Sequence, residues 1–353
     1  MSTSANTNTS TSTARSTTPE TMNAITYRRY GAPSVVGIER IAKSVAGENE
    51  VLVRVRAASI GAADSAARLG NPAMVRLFSG LFTPRIPVLG SDFSGVIAHV
   101  GSEVTGWAVG DEVIGVTSVR MSAHAEYVTM PGDGPLVLKP ADMNWEHAAS
   151  LAELTALPFL RDGAKLTAGQ RVLINGASGS VGVSAVQLAK HFGAHVTAVC
   201  SGANAELVRS IGADEVIDYT VVDFTAVDFT DPAVSTPAQP FDVVFDAVGK
   251  SSFRRCARLL TPTGIYLSTV PSVPLLVRAA FIKRARGRRA GILFTGLRKA
   301  QAQLADLTEI VRLAGLGVVV PVVDSSFDVA NAAAAHARVD SGRKRGSVVV
   351  TFA

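Results

Sequence analysis

The chain reads as an α/β protein in two parts, a β-rich unit followed by a doubly wound parallel sheet. Three observations predict this. Up to about residue 145 the apolar runs are strand-like and separated by Gly- and Pro-rich turns, which suits an antiparallel or barrel-like unit. Beyond about residue 150, short apolar runs of buried type alternate with helical segments. Where the second pattern starts, VLINGASGSVG (Val172–Gly182) sets a glycine-rich turn at a strand-to-helix junction. With 353 residues, 47% hydrophobic and 18% charged, the chain has the size and balance of a two-domain soluble protein.

The first part opens on MSTSANTNTSTSTARSTTPE, almost wholly Ser, Thr, Asn and Ala. Such a segment buries too little apolar surface to offset its ordering entropy, so residues 1–23 are expected to form a disordered tail. Scarce acidic residues also suit an organelle transit peptide, but Arg15 is the one cation before residue 28, and a plain tail is the preferred reading. From Ala24 strands follow. In EVLVRVRAASI, Val51, Val53 and Val55 take one face while Arg54 and Arg56 take the other, as in a half-buried strand. PVLGSDFSGVIAHVG, WAVGDEVIGV and AEYVTM continue the pattern, and NWEHAASLAELTALPFL reads as helix.

In the second part RVLIN, HVTAVC, EVID, FDVVFDAV and GIYLSTV have the look of parallel-sheet strands. Between them Val181, Ala185, Leu188, Ala189 and Phe192 share a helical face, as do Leu207, Val208 and Ile211. A helix is expected around Leu297–Leu313, and the end of the chain returns to strand, helix, strand. No internal repeat is present. Cys200 and Cys256 stand far apart without spaced partners, which excludes a disulfide framework and a cysteine-rich metal site and suits a reducing cytoplasm. No apolar run approaches the roughly 18 residues of a membrane-spanning helix.

The glycine turn carries the chemistry. It fits G-x-G-x-x-G only with Ala177 in the first position; from Gly176 it is G-x-x-G-x-x-G. A turn between strand and helix aims backbone N–H groups and the positive end of the helix dipole at an anion. Gly179 would let a pyrophosphate approach the backbone, and Gly182 would let the helix pack tightly, while alanine makes the first turn if φ stays negative. A bare turn glycine set without ligand is the bland alternative; the flanking strand, amphipathic helix and second strand favour a dinucleotide. About twenty residues on, where an acidic residue would hold the ribose of NAD, the chain has Cys200-Ser201-Gly202. With no carboxylate there and Ser201 able to donate to a 2′-phosphate, NADPH is expected over NADH, although no Arg or Lys follows Ser201 directly.

From Ala24 to Ala353 the chain resembles the zinc-independent quinone oxidoreductases of the medium-chain dehydrogenase/reductase family. The resemblance rests on EVLVRVRAAS, PVLGSDFSGVIAHVGSEVTGWAVGDEVIG, LTAL, GQRVLINGASGSVG, IGADEVIDY, FDVVFDAVG and GRKRGSVVVTF, in the family's order. It implies a GroES-like β-rich catalytic domain, 24–150 completed by 300–353, and a Rossmann NADP-binding domain, 151–299, with the active site in the cleft between them. It also implies cofactor contacts at Thr155, at Gly176, Ala177, Ser178, Gly179, Ser180, Val181 and Gly182 of the loop, at Ser201 and Tyr219 on the 2′-phosphate side, at Val248, Gly249 and Ser268 at the strand ends, and at Arg343 in the C-terminal motif. Arg343, Lys344 and Arg345 read equally well as a solvated basic turn.

The chain departs from the family in places. Relatives usually read S-x-N-x-x-D where this chain has SIGAAD: Ser59 and Asp64 match, Gly61 replaces the asparagine, and Asp64 reads equally well as a helix cap. A tyrosine that follows in some relatives is missing from SAARLGNPAM. Zinc-dependent members place Cys near Gly61 and His-Glu where Ser91-Asp92 stands, and carry a four-cysteine lobe; this chain has none of these. His191 and His195 are four apart, but Gly193 and a strand start separate them, and no metal is expected. Without a Lewis acid alcohol oxidation is disfavoured. Hydride addition to a quinone or the β-carbon of an enone or enal leaves charge on a conjugated oxygen that needs only donors or water. The expected partner is a small electrophilic molecule, and no residue stands out as general acid.

Two other classes were weighed. A short-chain dehydrogenase would carry the loop near its start and Tyr-x-x-x-Lys; about 150 residues precede the loop here, and no tyrosine has Lys four residues on. A non-catalytic NADPH-binding protein at an anionic membrane is suggested by 275–299, where Lys283 to Arg289 hold five cations in seven residues. The bland alternative, a loop and helix shaping the entrance or a subunit contact, is preferred. Nucleic acid is not expected, because no aromatic platform accompanies the charge. A monomer or homodimer is expected.

Overall fold

The computed structural model describes residues 20–71, 73, 75–226, 239–281 and 287–353. Most of the expected tail (1–19) and residues 282–286 of the basic run lie outside them. In chain order the strands are β1 (Thr21–Tyr27), β2 (Val36–Ala42), β3 (Glu50–Ile60), β4 (Asp92–Val100), β5 (Glu112–Val116), β6 (Tyr127–Pro131) and β7 (Leu136–Leu138). The middle of the chain adds β8 (Arg171–Asn175), β9 (His195–Cys200), β10 (Glu215–Asp218), β11 (Phe241–Asp246), β12 (Leu260–Ser268) and β13 (Arg289–Gly291). The last two are β14 (Val323–Asp328) and β15 (Ser347–Thr351).

β3 is the spine of the first sheet. Its alternating valines, Val51, Val53 and Val55, are fully buried while Arg54 is exposed. It pairs antiparallel with β4, β6 and β15, in an order β14-β15-β3-β4-β5-β7 with β6 also on β3. The C-terminal strands therefore complete the sheet that the first half of the chain begins. β1 and β2 form a separate antiparallel pair. The second sheet is wholly parallel, in the order β10-β9-β8-β11-β12-β13, the doubly wound arrangement expected.

Three expectations need correction. The tail ends before Thr21, because Met22 is buried and Asn23 donates through its backbone and side-chain nitrogens to Glu126 at 2.9 and 2.8 Å. The helix over 145–160 breaks into Trp145–Leu151, Ala156–Pro158 and a wide turn Phe159–Ala164, with Thr155 at the break. The helix expected near 297–313 runs Ala300–Gly315, and its Leu307, Ile310 and Leu313 pack in one core cluster with Ala185, Leu188 and Phe245 beside the parallel sheet. The return to the first sheet thus begins at β14.

One buried group is left in an unusual electrostatic position. His336, on the helix Ala332–Asp340, is fully buried, and neither ring nitrogen has a hydrogen-bond partner among the described residues. His124 lies edge-on at 6.2 Å. Burial first, then the nearby His124 and Arg68, push the His336 pKa down to about 4, with Asp64 opposing. The unfolded chain protonates this side chain near its ordinary value of 6.5. Stability is therefore unaffected above that pH and lost as pH falls towards 4, by roughly 3 kcal/mol at the limit. His336→Met should remove that acid-side loss. Urea melts at pH 7.5 and 4.5 should show the variant losing less stability than the wild type, by roughly 2 kcal/mol; equal losses would contradict this account.

Candidate functional site

The glycine turn joins β8 to the helix Ser180–His191. Gly176 takes the left-handed backbone (φ +81°), while Ala177 keeps a negative φ and is fully buried. The substituted first glycine thus costs nothing, because its neighbour makes the turn. The N–H groups of Gly176 and Ala177 both donate to Val199 O, at 3.0 and 3.1 Å, tying the turn to β9. A Cβ on Gly182 would lie 2.1 Å from Gly176 O, so the helix start must be bare to pack on the turn. Gly179 differs. A Cβ there would meet only Gly176 O, at 3.5 Å, so protein packing leaves the space above it open. Gly179 also starts the helix with no side-chain cap. The N–H groups of the first turn, around Ser180, Val181 and Gly182, therefore face outward without intrahelical partners. Open space, uncapped N–H groups and the dipole's positive end fit a bound pyrophosphate.

The C-terminal motif closes on this turn from the other sheet. Gly346, held at φ +84° with no room for a Cβ against Val322 O, donates its N–H to Ser178 O at 2.8 Å and bridges Gly179. Of the three cations flagged there, Lys344 reaches the turn: its Nζ donates to Ser180 Oγ and Gly346 O, both at 2.8 Å. Burial pulls the Lys344 pKa down to about 8 against the attraction of Glu153 and Asp324. Arg345 Nη2 donates to Ala203 O at 2.9 Å, in the turn after Ser201. Arg343 is exposed, and its side chain has no hydrogen bond or ion pair among the described residues; its backbone bonds to Ser341 and Arg338 instead.

On the far side, Ser201 precedes the turn Gly202–Asn204, and Asn204 Nδ2 donates to Ser178 Oγ at 2.9 Å. Here the sequence reading needs a correction. β10 runs parallel to β9 with Asp218 opposite Cys200, and a Cβ on Gly202 would fall 2.3 Å from Asp218 Oδ2. A carboxylate does stand beside Ser201, supplied by the next strand. Hydrogen bonds from Thr220 hold it below the usual carboxylate range. Tyr219 follows, with its side chain exposed.

The strand ends are shaped by Asp246, fully buried at the end of β11. It accepts from Asn175 Nδ2, the N–H groups of Val248, Gly249 and Ser251, Ser251 Oγ and Tyr266 Oη. These bonds fold the segment after β11 back, leave Val248 exposed and set Gly249 at φ +65°. Ser268, buried at the end of β12, accepts the N–H of Val270 at 3.2 Å.

The other end of the cleft holds carboxyl groups that sequence reasoning passed over. Thr155 donates its N–H to Glu153 Oε1 at 3.0 Å, and Glu153 Oε2 is enclosed with no hydrogen-bond partner among the described residues. Burial raises the Glu153 pKa, with the Thr155 bonds and Lys344 opposing. Asp92, at the start of β4, accepts from Ser91 Oγ at 2.6 Å and Ser59 Oγ at 3.3 Å. Burial and the charges of Glu153 and Asp64 push it up to about 7, against the bond from Ser91. Asp64, read equally as a helix cap or a functional residue, accepts from Gly61 N at 2.8 Å at the start of its helix and from Gly90 N at 2.9 Å. Among the described residues no group of three His, Cys, Asp or Glu is arranged to hold a metal.

Ser178, Gly179 and Ser180 are thus brought together with Lys344, Gly346 and, through Asn204, the turn after Ser201; Glu153 links Thr155 and Lys344 to Asp92. The basic segment lies apart from this line. Of its described cations, Arg288 Nε donates to Leu260 O at 2.9 Å and Arg289 opens the sheet-edge strand β13.

Residues 47–158 match the family model of the alcohol dehydrogenase GroES-like domain and residues 211–350 that of the zinc-binding dehydrogenases. The mitochondrial NAD(P)H oxidoreductase RTN4IP1 of Bos taurus is 31% identical over 337 residues, covering 86% of this chain and 81% of that protein. The chloroplastic NADPH-dependent alkenal/one oxidoreductase of Arabidopsis thaliana is 34% identical over 250 residues, 67% of this chain and 60% of its own length. The solved structure of the quinone oxidoreductase from Coxiella burnetii superposes with a TM-score of 0.81 at 28% identity, covering 95% of this chain and all of that one.

The two loop glycines should respond differently to alanine. Gly182→Ala forces a Cβ into backbone and should cost roughly 2–4 kcal/mol. Gly179→Ala meets no such obstacle and should cost about 1 kcal/mol or less. Chemical denaturation of both variants without added ligand checks the split; equal losses would refute it.

Proposed function

The chain belongs to the medium-chain dehydrogenase/reductase family, in its zinc-independent, quinone-oxidoreductase-like branch, and we propose that it transfers hydride from NADPH to a quinone or an α,β-unsaturated carbonyl. It is an NAD(P)H-dependent oxidoreductase acting on a small molecule. The finer reading is carried by one observation. An open, uncapped loop flanked by Lys344 leads, by way of Glu153, to a carboxyl-lined end at Asp92, where Gly61 and Ser91 stand in place of the Cys and His of zinc-dependent relatives.

In this reading 21–150 with the C-terminal strands forms the catalytic unit, and 151 to the end of the helix Ala300–Gly315 the cofactor unit. Gly176, Ala177, Ser178, Gly179, Ser180, Val181 and Gly182 would cradle the pyrophosphate, Ser201, Tyr219 and Arg345 would face the 2′-phosphate, and Thr155, Val248, Gly249 and Ser268 would line the path of the nicotinamide ring. When bound, the reduced nicotinamide supplies the hydride. The chain's own residues orient the reactants, exclude water and handle the proton. Substrates of this kind suit the site because the charge that develops on a conjugated oxygen can be met by hydrogen-bond donors. Cys200 and Cys256 are free and buried, in keeping with the reducing cytoplasm we propose as its place.

Cofactor choice becomes a contest between two charges beside Ser201. Arg345 favours a 2′-phosphate and Asp218 opposes it. We expect the wild type to prefer NADPH. Arg345→Ala should weaken NADPH about tenfold or more while changing NADH by less than about threefold, and Asp218→Asn should widen the preference for NADPH. Fluorescence titration with both dinucleotides checks this, and a wild type that prefers NADH would overturn it. The broader reading is tested by mixing the protein with NADPH and a panel of quinones, enones and simple ketones. Cofactor oxidation is expected with the first two classes, and none with any acceptor would end the proposal.

A further inference from the structure

Hydride transfer to a conjugated carbonyl leaves a proton to be found, and several side chains suited to that task are occupied or misplaced here. Tyr266 Oη donates to Asp246, and Tyr30 Oη to Gly80 O. The His124 Nε2 atom is bonded to Ser59 O behind β3, with the ring fully buried. Lys344 is committed to Ser180 Oγ and Gly346 O. Tyr219 stands at the opposite end, beside Asp218.

Asp92 is a further candidate. It is half-buried, on the wall where β3 and β4 meet. Ser91 engages one carboxyl oxygen at 2.6 Å, whereas Ser59 stands 3.3 Å from the other. Oδ2 is therefore the oxygen left freer to hold and release a proton. Among the described residues the charges felt at Asp92 are those of Glu153 and Asp64, both acidic. The half-buried Lys344 acts on Glu153 instead, and the fully buried Arg68 is paired with Asp340. Two acids that feel each other's charge, one with an oxygen that has no partner among the described residues, disfavour two negative charges together. In the reading above, a cofactor with its pyrophosphate on Ser178–Ser180 and its adenosine ribose at Ser201 would carry its redox ring past Thr155, towards the end where Glu153 and Asp92 lie.

We infer that the Asp92 carboxyl is the proton donor to the reduced substrate, and that Glu153 is a positioning residue that keeps it protonated. The inference rests on the hydride-transfer reading above. In the step itself the β-carbon has gained a C–H bond with both its electrons from the reduced nicotinamide, which leaves oxidised, and the carbonyl oxygen carries the charge. The Asp92 O–H bond then breaks, its proton forms an O–H bond on the enolate, and the carboxylate left behind regains a proton from water. The enol so formed tautomerises to the saturated carbonyl, and the balance is one NADPH and one proton consumed per conjugated C=C reduced. A carboxyl titrating near neutrality is well matched to this task.

The test uses Asp92→Asn, which keeps the size and both hydroxyl neighbours, with Asp92→Glu as the conservative rescue. Infrared titration of the cofactor-free wild type should reveal a carboxylic acid that deprotonates near pH 7, absent from Asp92→Asn and shifted downwards in Glu153→Gln. With an enone, Asp92→Asn should lose about a hundredfold in kcat and the alkaline decline of the pH profile, with NADPH affinity changed less than about threefold; Asp92→Glu should restore part of both. A quinone, whose reduced anion is a weaker base, should be affected less. No neutral-range carboxyl in the wild type overturns the inference whatever the turnover. So does an active wild type matched within about threefold by a folded Asp92→Asn. A wild type that turns over no acceptor instead ends the hydride-transfer reading, and the donor role with it.

Discussion

Everything at this site depends on the bond between the end of the chain and the glycine turn. Gly346 reaches Ser178 O, and Lys344 reaches Ser180 Oγ. These bonds join the antiparallel sheet to the start of the first helix of the parallel one. They fix where β15 begins, and β15 in turn pairs with β3, which carries Ser59. A shift of this seam would therefore move the wall of the catalytic end relative to the anion-binding turn. Both glycine and lysine are needed for physical reasons. Gly346 has a positive φ and no room for a Cβ, and a cation is the natural companion of a helix start built to hold an anion.

The seam also orders the charges. Lys344 lies between the turn, where negative charge would arrive with a cofactor, and Glu153, whose own charge is resisted by burial. The Lys344 ammonium is stabilised by carboxylates and by an anion at Ser180, while burial alone would neutralise it. Binding an anion at the turn should then raise the Lys344 pKa, and the cation in turn lowers the cost of a charge on Glu153. Such coupling is reciprocal, so the ends of the cleft sense each other through one side chain. Asp246 orders a different part of the site. Its six donors satisfy a buried carboxylate and set the fold-back after β11, so its role is shape.

Much of the fold was legible because its cues are local. The alternation of Val51, Val53 and Val55 and the apolar run of β11 each announce a strand; Ala177 keeps the negative φ expected of it, while the left-handed turn falls to Gly176. What the sequence withheld was register. Asp218 lies opposite Cys200 only because β10 pairs with β9 as it does, and no spacing rule places it there. In RKR three adjacent cations look alike, yet strand geometry sends Lys344 to the turn, Arg345 to the ribose side and Arg343 to solvent. Asp92 and Glu153 were in plain view. They were passed over because Ser91-Asp92 was inspected for missing zinc ligands, and because burial, which makes a carboxyl interesting, is not written in its neighbours.

In the reading proposed here, the half-buried Asp92 carboxyl does work that a Lewis acid does not. A Lewis acid stabilises an oxyanion from the moment it forms and holds a proton on no atom of the protein. A neutral carboxylic acid at the same end of the cleft offers a hydrogen bond first and a proton afterwards, and it works only while it remains uncharged. Its environment must therefore be poor in cations, the opposite of a site built for an anion. This explains the division within the cleft. Positive charge is gathered at the turn, on Lys344 and Arg345, and kept away from Asp92, whose charged neighbours are acids. A cation introduced beside Asp92 would improve binding of a negatively charged substrate and, by ionising the carboxyl, remove the proton that the reaction needs.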